Sequence, residues 1–259
     1  MPNKKVVIVG AGSVAYHLTR VLLENTVNVV QVFNRTLSKA QELANNYNIN
    51  FTDKISEIEK ADLYIICTTD KAISEISYYI PFEDCLVVHT SGSTPLSALK
   101  GKYRKGVFYP LQTFSMKRSI SSDEIPFLVE AENPEDEFAL LELGKRLSSE
   151  VYAVNSEKRM KIHMAAIWAN NFTNHLYYIA SEICKKQDVP FEILKPLIKE
   201  TADKIEDDVR PFDAQTGPAR RDDDAIIKKH LEILESDPKK YQIYQSITES
   251  IFTTYNDKL

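Results

Sequence analysis

The chain has 259 residues, enough for one large domain or two of ordinary size. Hydrophobic residues make up 43% and charged residues 27%, an ordinary balance for a globular protein, and no apolar run approaches the ~20 residues needed to span a bilayer. The net charge of −5 argues against a nucleic-acid partner, which favours a basic excess.

Three cysteines, Cys67, Cys85 and Cys184, lie far apart and in no metal-ligand spacing. Cys67 and Cys85 lie in apolar strand-like runs, so buried free thiols in a reducing cytoplasm, with no metal site, are the expectation. Met1-Pro2-Asn3-Lys4-Lys5 leads straight into a strand and carries no signal-peptide core.

The first predicted strand, Val6–Val9, ends at Gly10, and Gly12 follows two residues later. A helix is predicted from Ser13 to about Asn25, with Val14, Leu18, Val21 and Leu22 on one face. Strand, glycine turn and helix start make a dinucleotide pyrophosphate site. Gly10 lets the chain turn, Gly12 lets the backbone approach a phosphate, and Ala15 is small enough for close packing of helix on strand. Ser13 and Val14 open the helix, whose N-terminal N–H groups and dipole suit an anion. The alternative is a turn that uses glycine for geometry alone.

The second strand, Asn28–Phe33, ends in Asn34-Arg35-Thr36. An NAD-preferring site usually carries Asp or Glu there, to bind the ribose hydroxyls. Asn34 does not repel a 2′-phosphate, Arg35 offers a planar fork, and Thr36 adds a hydroxyl. The expected cofactor is therefore NADP (NADPH).

Leu37–Tyr47 is predicted helical, and Ile49–Phe51 a short strand. Ala61–Cys67 is an apolar run typical of a parallel strand covered on both faces. Thr68-Thr69-Asp70 follows, where the hydroxyls of Thr68 and Thr69 suit ribose or phosphate. Thr69 or Asp70 equally suits capping of the next helix, which is predicted to end near Tyr79. Cys85–His89 is the next strand, followed by His89-Thr90-Ser91-Gly92-Ser93-Thr94-Pro95. This polar loop, with Ser91 and Gly92, is a candidate cradle for a substrate anion, or else a helix-start loop. Val107–Tyr109 and Phe127–Glu130 read as strands. Gln112, in Tyr109-Pro110-Leu111-Gln112-Thr113-Phe114, suits a pocket wall. A helix from Asn133-Pro134 to about Leu147 and a strand over Glu150–Val154 complete the alternation.

Beyond residue 155 the pattern is helical: about 156–187, 190–207, 219–236 and 238–255, broken at Pro190, Pro211, Gly217, Pro218 and Pro238. The expected architecture is a Rossmann-type, doubly wound, mainly parallel α/β domain over residues 1–154. An all-α domain over 155–259 follows it and helps to build the substrate site. On a uniform helix Arg159, His163, Asn170 and Asn174 fall within about 40° of one line. Met164, Ala165, Ala166, Ile167, Trp168, Ala169 and Phe172 predict a helix buried nearly all round. The polar stripe therefore needs partners, from the protein or from a ligand. His163 is the candidate proton donor to a carbonyl or imine, and Asn170 and Asn174 the groups that orient the substrate. Thr216, Gly217 and Arg221, with Asp223 as holder of Arg221, form a candidate anion-binding turn; Asp222 to Asp224 also suit a helix N-terminus.

Together these motifs resemble the Rossmann-like proteins with a C-terminal domain of unknown function, described as NADP- or deazaflavin-dependent oxidoreductases. The resemblance rests on Gly10, Gly12 and Ala15; His89-Thr90-Ser91-Gly92; Pro110 with Gln112-Thr113-Phe114; His163 with Asn171-Phe172 and Asn174; and Thr216-Gly217-Pro218 with Arg221 and Asp223. Many members have glycine between that arginine and aspartate, where this chain has Asp222. More distantly the chain is similar to the 6-phosphogluconate dehydrogenase-like superfamily, including pyrroline-5-carboxylate reductase, prephenate dehydrogenase and β-hydroxyacid dehydrogenases. The catalytic lysine of the last group has no counterpart, because Lys161 falls on the far side of the helix from His163. The resemblance implies hydride transfer to or from NADP and a homodimer formed through the helical domain. The leading expectation is an NADP-dependent oxidoreductase acting on a small, anionic C=O or C=N substrate. The alternatives are a non-catalytic NADP-binding regulator and a deazaflavin-dependent NADP oxidoreductase.

Overall fold

The computed structural model describes residues 4–116, 118, 120–207 and 209–256. Two compact units divide the chain, Met1–Asn171 and Phe172–Leu259.

The first unit is a Rossmann-type fold. In chain order it runs β1 (Lys5–Val9), α1 (Ser13–Glu24), β2 (Asn28–Phe33), α2 (Leu37–Asn45), β3 (Asn50–Thr52), β4 (Leu63–Ile66), α3 (Asp70–Tyr78), β5 (Leu86–His89), β6 (Arg104–Pro110), β7 (Phe127–Ala131), α4 (Pro134–Leu147), β8 (Val151–Ala153) and α5 (Ser156–Ala166). The eight-stranded sheet has the order β3-β2-β1-β4-β5-β6-β7-β8. Pairing is parallel from β3 across to β6. β7 is antiparallel to β6, and β8 is parallel to β7. The chain winds one way from β1 and the other way from β4, so the strand order reverses between them. Ligands of open α/β sheets bind at that switch point, outside the carboxyl ends of the strands.

The core follows from the strand sequences. β1, β4 and β5 are apolar on both faces because helices cover both sides of a parallel sheet. Val6 and Ile8 face one buried cluster with Leu18, Leu22 and Leu43, whereas Val7 and Val9 face another with Tyr64, Ile66 and Ile73. β6 begins three residues earlier than the apolar run Val107–Tyr109 predicts. Its charged start is tolerated because Arg104 pairs with Asp136 and Lys105 with Glu132. α4 starts where expected: Asn133 accepts a bond from the Asp136 N–H at 2.9 Å, and Pro134 occupies the first turn.

The helix expected over 156–187 is not uniform. It runs as α5, then a π-helical turn over Ile167–Phe172, then α6 (Thr173–Lys186). Nor is it buried all round. Met164 is 56% and Trp168 66% exposed.

The second unit contains α6, α7 (Lys195–Glu206), the short α8 (Pro211–Ala214), α9 (Asp224–Leu234) and α10 (Pro238–Asn256). The helix expected from 219 begins instead at Asp224. Ala219–Arg221 form a single 3-10 turn, and Asp222 turns the chain with φ 55°. No helix among the described residues is long and apolar enough to cross a membrane.

Candidate functional site

Gly10 has φ +124°, and a Cβ there would lie 2.5 Å from the Cys67 carbonyl oxygen on the neighbouring strand. Only glycine makes that turn without strain. Gly12 is the N-cap of α1 and has no side-chain cap bond. The space where its Cβ would point is open, so a phosphate can reach the helix start. A cleft of about 560 Å³ opens here, lined by Gly10 and Gly12, by Asn34, Arg35 and Thr36 after β2, and by Thr68 and Thr69 after β4.

The loop after β2 is held by Asn34. Its amide donates to the Thr36 carbonyl at 3.0 Å, and its backbone N–H donates to Thr52 O at 3.1 Å. Arg35 and Thr36 are exposed at the rim. Lys39, in the first turn of α2, joins them in the lining and was missed from the sequence. Its signal was the spacing of one helical turn from Thr36. Asp53 and Glu75 line the same cleft, so the two cations are not its only charges. Thr69 occupies the N-cap position of α3 without a side-chain bond. The Asp70 carboxylate accepts from Ser93 Oγ instead.

A second cleft, about 520 Å³ and wholly within the first unit, shares Cys67 and Thr68 with the first. Ser13 and Val14 line this one, together with Asp70, Ser91, Gly92, Tyr109, Gln112, His163, Asn170 and Asn171. Tyr109 Oη lies 3.1 Å from His163 Nδ1, with the rings edge to face. Burial and the nearby Asp70 carboxylate raise the pKa of the Tyr109 hydroxyl, so it keeps its proton at neutral pH. The sequence suggests for Tyr109 only a pocket wall, although its place as a polar side chain at the carboxyl end of β6 marks it as part of the site.

The Ser91 loop is rigidly built. Ser91 Oγ accepts the N–H groups of Ser93 and Thr94 at 3.2 and 3.0 Å and donates to Thr94 Oγ1 at 2.9 Å. Its hydroxyl is therefore engaged in closing the turn. Arg159 proves structural. At 1% exposure it pairs with Glu130 and donates to the Thr94 carbonyl at 2.7 Å. Ser156 Oγ donates to Glu130 at 2.7 Å and accepts the Leu96 N–H at 3.0 Å. Strand β7, helix α5 and the loop after β5 are thus tied together.

His89 is fully buried, and its Nδ1 accepts the Ser91 N–H at 3.2 Å. Burial, and secondarily the Arg159 charge, push its pKa down to about 4 from the ordinary 6.5. The unfolded chain therefore takes up a proton between those values that the folded chain refuses. Stability is at its full value above pH 6.5 and is lost as pH falls through 4, by about 3 kcal/mol from this group. Denaturant titrations of wild type and His89→Gln from pH 7 to 4 are expected to show a shallower loss in the variant.

The π-helical turn decides how the polar stripe is used. It adds a residue to the turn, so Asn171 joins Asn170 at the second cleft. Asn174 lies in the second unit. The uniform period used on the sequence cannot reveal this shift.

Thr216 and Gly217 also belong to the second unit. They line an apolar pocket of about 250 Å³ with Leu176, Ile243 and Tyr244. Gly217 has φ +108°. Asp223 does not hold Arg221; its carboxylate caps α9 by accepting the Ile226 N–H at 3.3 Å. Arg220, rather than Arg221, ties the loop down, through the Gln215 and Asp213 carbonyls. Arg221 is exposed.

Two family models match different parts of the chain. Residues 125–251 match the model of a "domain of unknown function (DUF2520)", and residues 1–95 match that of "shikimate / quinate 5-dehydrogenase". A crystal structure of a "putative NADP oxidoreductase" from Bacteroides fragilis is 40% identical, with TM-score 0.90 over 96% of this chain and 98% of that one. The chain belongs to the DUF2520 family. A similar fold is also seen in a Thermotoga maritima protein, 22% identical with TM-score 0.77 over 98% of this chain and 99% of the other. Among curated proteins, the glutamyl-tRNA reductase of Methanococcus aeolicus is 36% identical over 70 residues. That match covers 26% of this DUF2520 chain and only 18% of the reductase.

Proposed function

We propose that this DUF2520 protein is an NADP-dependent oxidoreductase that acts on a small C=O or C=N substrate. The observation that carries the reading is the continuity of two clefts at the strand ends. The glycine-turn cleft and the His163 cleft share Cys67 and Thr68, so a dinucleotide bound over the first reaches into the second. The Bacteroides relative, a "putative NADP oxidoreductase", supports the same cofactor. The residues fit the group. Gly12 leaves room for a pyrophosphate at the start of α1, and Arg35, Thr36 and Lys39 surround a place for a 2′-phosphate.

When bound, NADPH supplies a hydride to the substrate carbon. His163 supplies the matching proton to the substrate oxygen or nitrogen, and Asn170, Asn171 and Gln112 offer amides that orient it. Among the described residues lining this cleft there is no Lys or Arg, and Asp70 is a carboxylate. Recognition of an anion by a cation is therefore not built into it. Neutral donors recognise the reacting end. The proposed domain roles, cofactor binding by residues 1–154 and substrate binding and assembly by 155–259, overlap at the second cleft, where Ser91, Gly92 and Gln112 stand beside His163, Asn170 and Asn171.

Fluorescence titration with NADPH and NADH tests the cofactor. Arg35→Ala and Lys39→Ala are each expected to weaken NADPH binding about tenfold, the size of one charge-assisted contact, and to leave NADH unchanged. No binding of either nucleotide by wild type sinks the reading.

We further propose a homodimer formed through the helical region. Ile193, Leu197 and Ile233 are each 64% or more exposed, and Ala219 is the one residue of the second unit that is buried among those described. Helices this apolar on their open faces need a partner surface. Light scattering on the purified protein is expected to give twice the chain mass; a monomer at micromolar concentration contradicts it.

A further inference from the structure

We propose that Tyr109 and Gly92 act as positioning residues that fix the ring and the tautomer of His163, so that Nε2 carries the proton offered to the pocket. This rests on the reading of His163 as proton donor, but it concerns the protein alone and can be tested without a substrate.

Three observations converge. Tyr109 Oη is 3.1 Å from His163 Nδ1, and among the described residues neither group has another hydrogen-bond partner. The imidazole is thus anchored at one nitrogen while the other remains available to a ligand, since His163 lines the cleft. The second observation is the room made by Gly92. A Cβ on Gly92 would lie 2.7 Å from His163 Nδ1, 2.7 Å from Tyr109 Cζ and 2.9 Å from His163 Cγ. Any side chain at position 92 pushes the two rings apart at their point of contact. Gly92 has no left-handed backbone requirement, so the need for glycine here is the close approach alone. The third is the environment of the tyrosine. Asp70 and Arg159 are the charged groups that act on Tyr109, and burial with the Asp70 charge outweighs Arg159 and keeps the hydroxyl protonated.

A protonated hydroxyl beside a neutral imidazole donates to whichever nitrogen faces it. Nδ1 faces Tyr109, so Nδ1 accepts and the ring proton resides on Nε2. The opposite tautomer has Nδ1–H donating to Tyr109 and leaves the tyrosine proton without a protein acceptor. It also presents a bare Nε2 to the pocket, which accepts a proton rather than giving one. The tautomer therefore selects the direction in which a neutral His163 serves: Nε2 gives its proton to a substrate that is being reduced while Nδ1 takes up the Tyr109 proton, so that no imidazolate forms, and the tyrosine is reprotonated from water.

The test is long-range nitrogen–proton NMR of the imidazole rings in the folded protein at alkaline pH. His163→Gln identifies the signals among the five histidines. Wild type is expected to show Nδ1 unprotonated and Nε2 protonated. Tyr109→Phe, which keeps the aromatic body, is expected to lower the tautomer ratio about two- to tenfold, the size of one net hydrogen bond. Gly92→Ala is expected to abolish any further effect of Tyr109→Phe in the double variant, because the rings no longer meet. An Nδ1-protonated wild-type ring overturns the proposal, as does a ratio unchanged in Tyr109→Phe. If an assay exists, Tyr109→Phe lowers kcat and leaves the NADPH dissociation constant unchanged. Should no substrate be found, the NMR result still decides the positioning role, so its failure and that of the oxidoreductase reading are distinguishable.

Discussion

Replacing His163 with alanine is expected to lower kcat for NADPH oxidation by about 10²- to 10⁴-fold, the usual contribution of a positioned proton donor. NADPH affinity is expected to stay within about twofold of wild type, because His163 lines the second cleft and not the glycine-turn cleft. His163 is the one imidazole that the second cleft contains, and its Nδ1 is already held by Tyr109. Nε2 is left as the group that reaches a substrate. Stopped-flow absorbance of NADPH, with a panel of neutral and anionic carbonyl and imine compounds, measures both quantities. Equal kcat in wild type and variant removes His163 from the chemistry. Binding of NADPH with no turnover of any compound favours the regulatory reading.

The largest effect on stability is expected at Arg159. Its guanidinium is 1% exposed and faces a Glu130 side chain that is 14% exposed. Arg159→Ala leaves that carboxylate without its cation and strips the Thr94 carbonyl of its donor. Breaking one partner of a buried ion pair costs about 3–5 kcal/mol. In a chain of this size that lowers Tm by roughly 6–20 °C. The double variant Arg159→Met with Glu130→Gln removes both charges and is expected to recover more than half of the loss, because no unpaired charge remains. Calorimetry on the three proteins checks the order. An alanine variant as stable as wild type shows that water reaches Glu130. The same loss of the Arg159 anchor loosens the loop that carries Ser91 and Gly92, so the variant should also weaken the contact between Tyr109 and His163.

Much of the first unit was legible in the sequence, and for a local reason. β1, β2, β4 and β5 are short runs of β-branched and other apolar residues, each ended by a glycine or polar turn. Gly10 and Gly12 stand between a strand and a helix, and their spacing alone restricts what can bind. The capping of α4 by Asn133 with Pro134 beside it is equally local. The early start of β6 was not legible. Arg104 and Lys105 argue against a buried strand until Asp136 and Glu132 are placed beside them, and those lie 32 and 27 residues further on.

The candidate site divides in the same way. Period counting put Arg159, His163, Asn170 and Asn174 on one stripe, and a π-helical turn breaks that period inside it. Arg159 then serves the fold, His163 and Asn170 reach a cleft with Asn171, and Asn174 belongs to the other unit. The turn around Asp223 showed a similar limit: an acid near an arginine suggests a pair, but the nearer Ile226 N–H takes the carboxylate. By itself the sequence determined that a Rossmann-type sheet with a glycine-turn cleft forms, because strand pattern, glycine spacing and helix start are all short-range properties. Only the tertiary structure decided which polar side chains face that cleft's extension. Tyr109, Gly92 and His163 come from two strand ends and a helix, and their meeting depends on packing that no local pattern encodes.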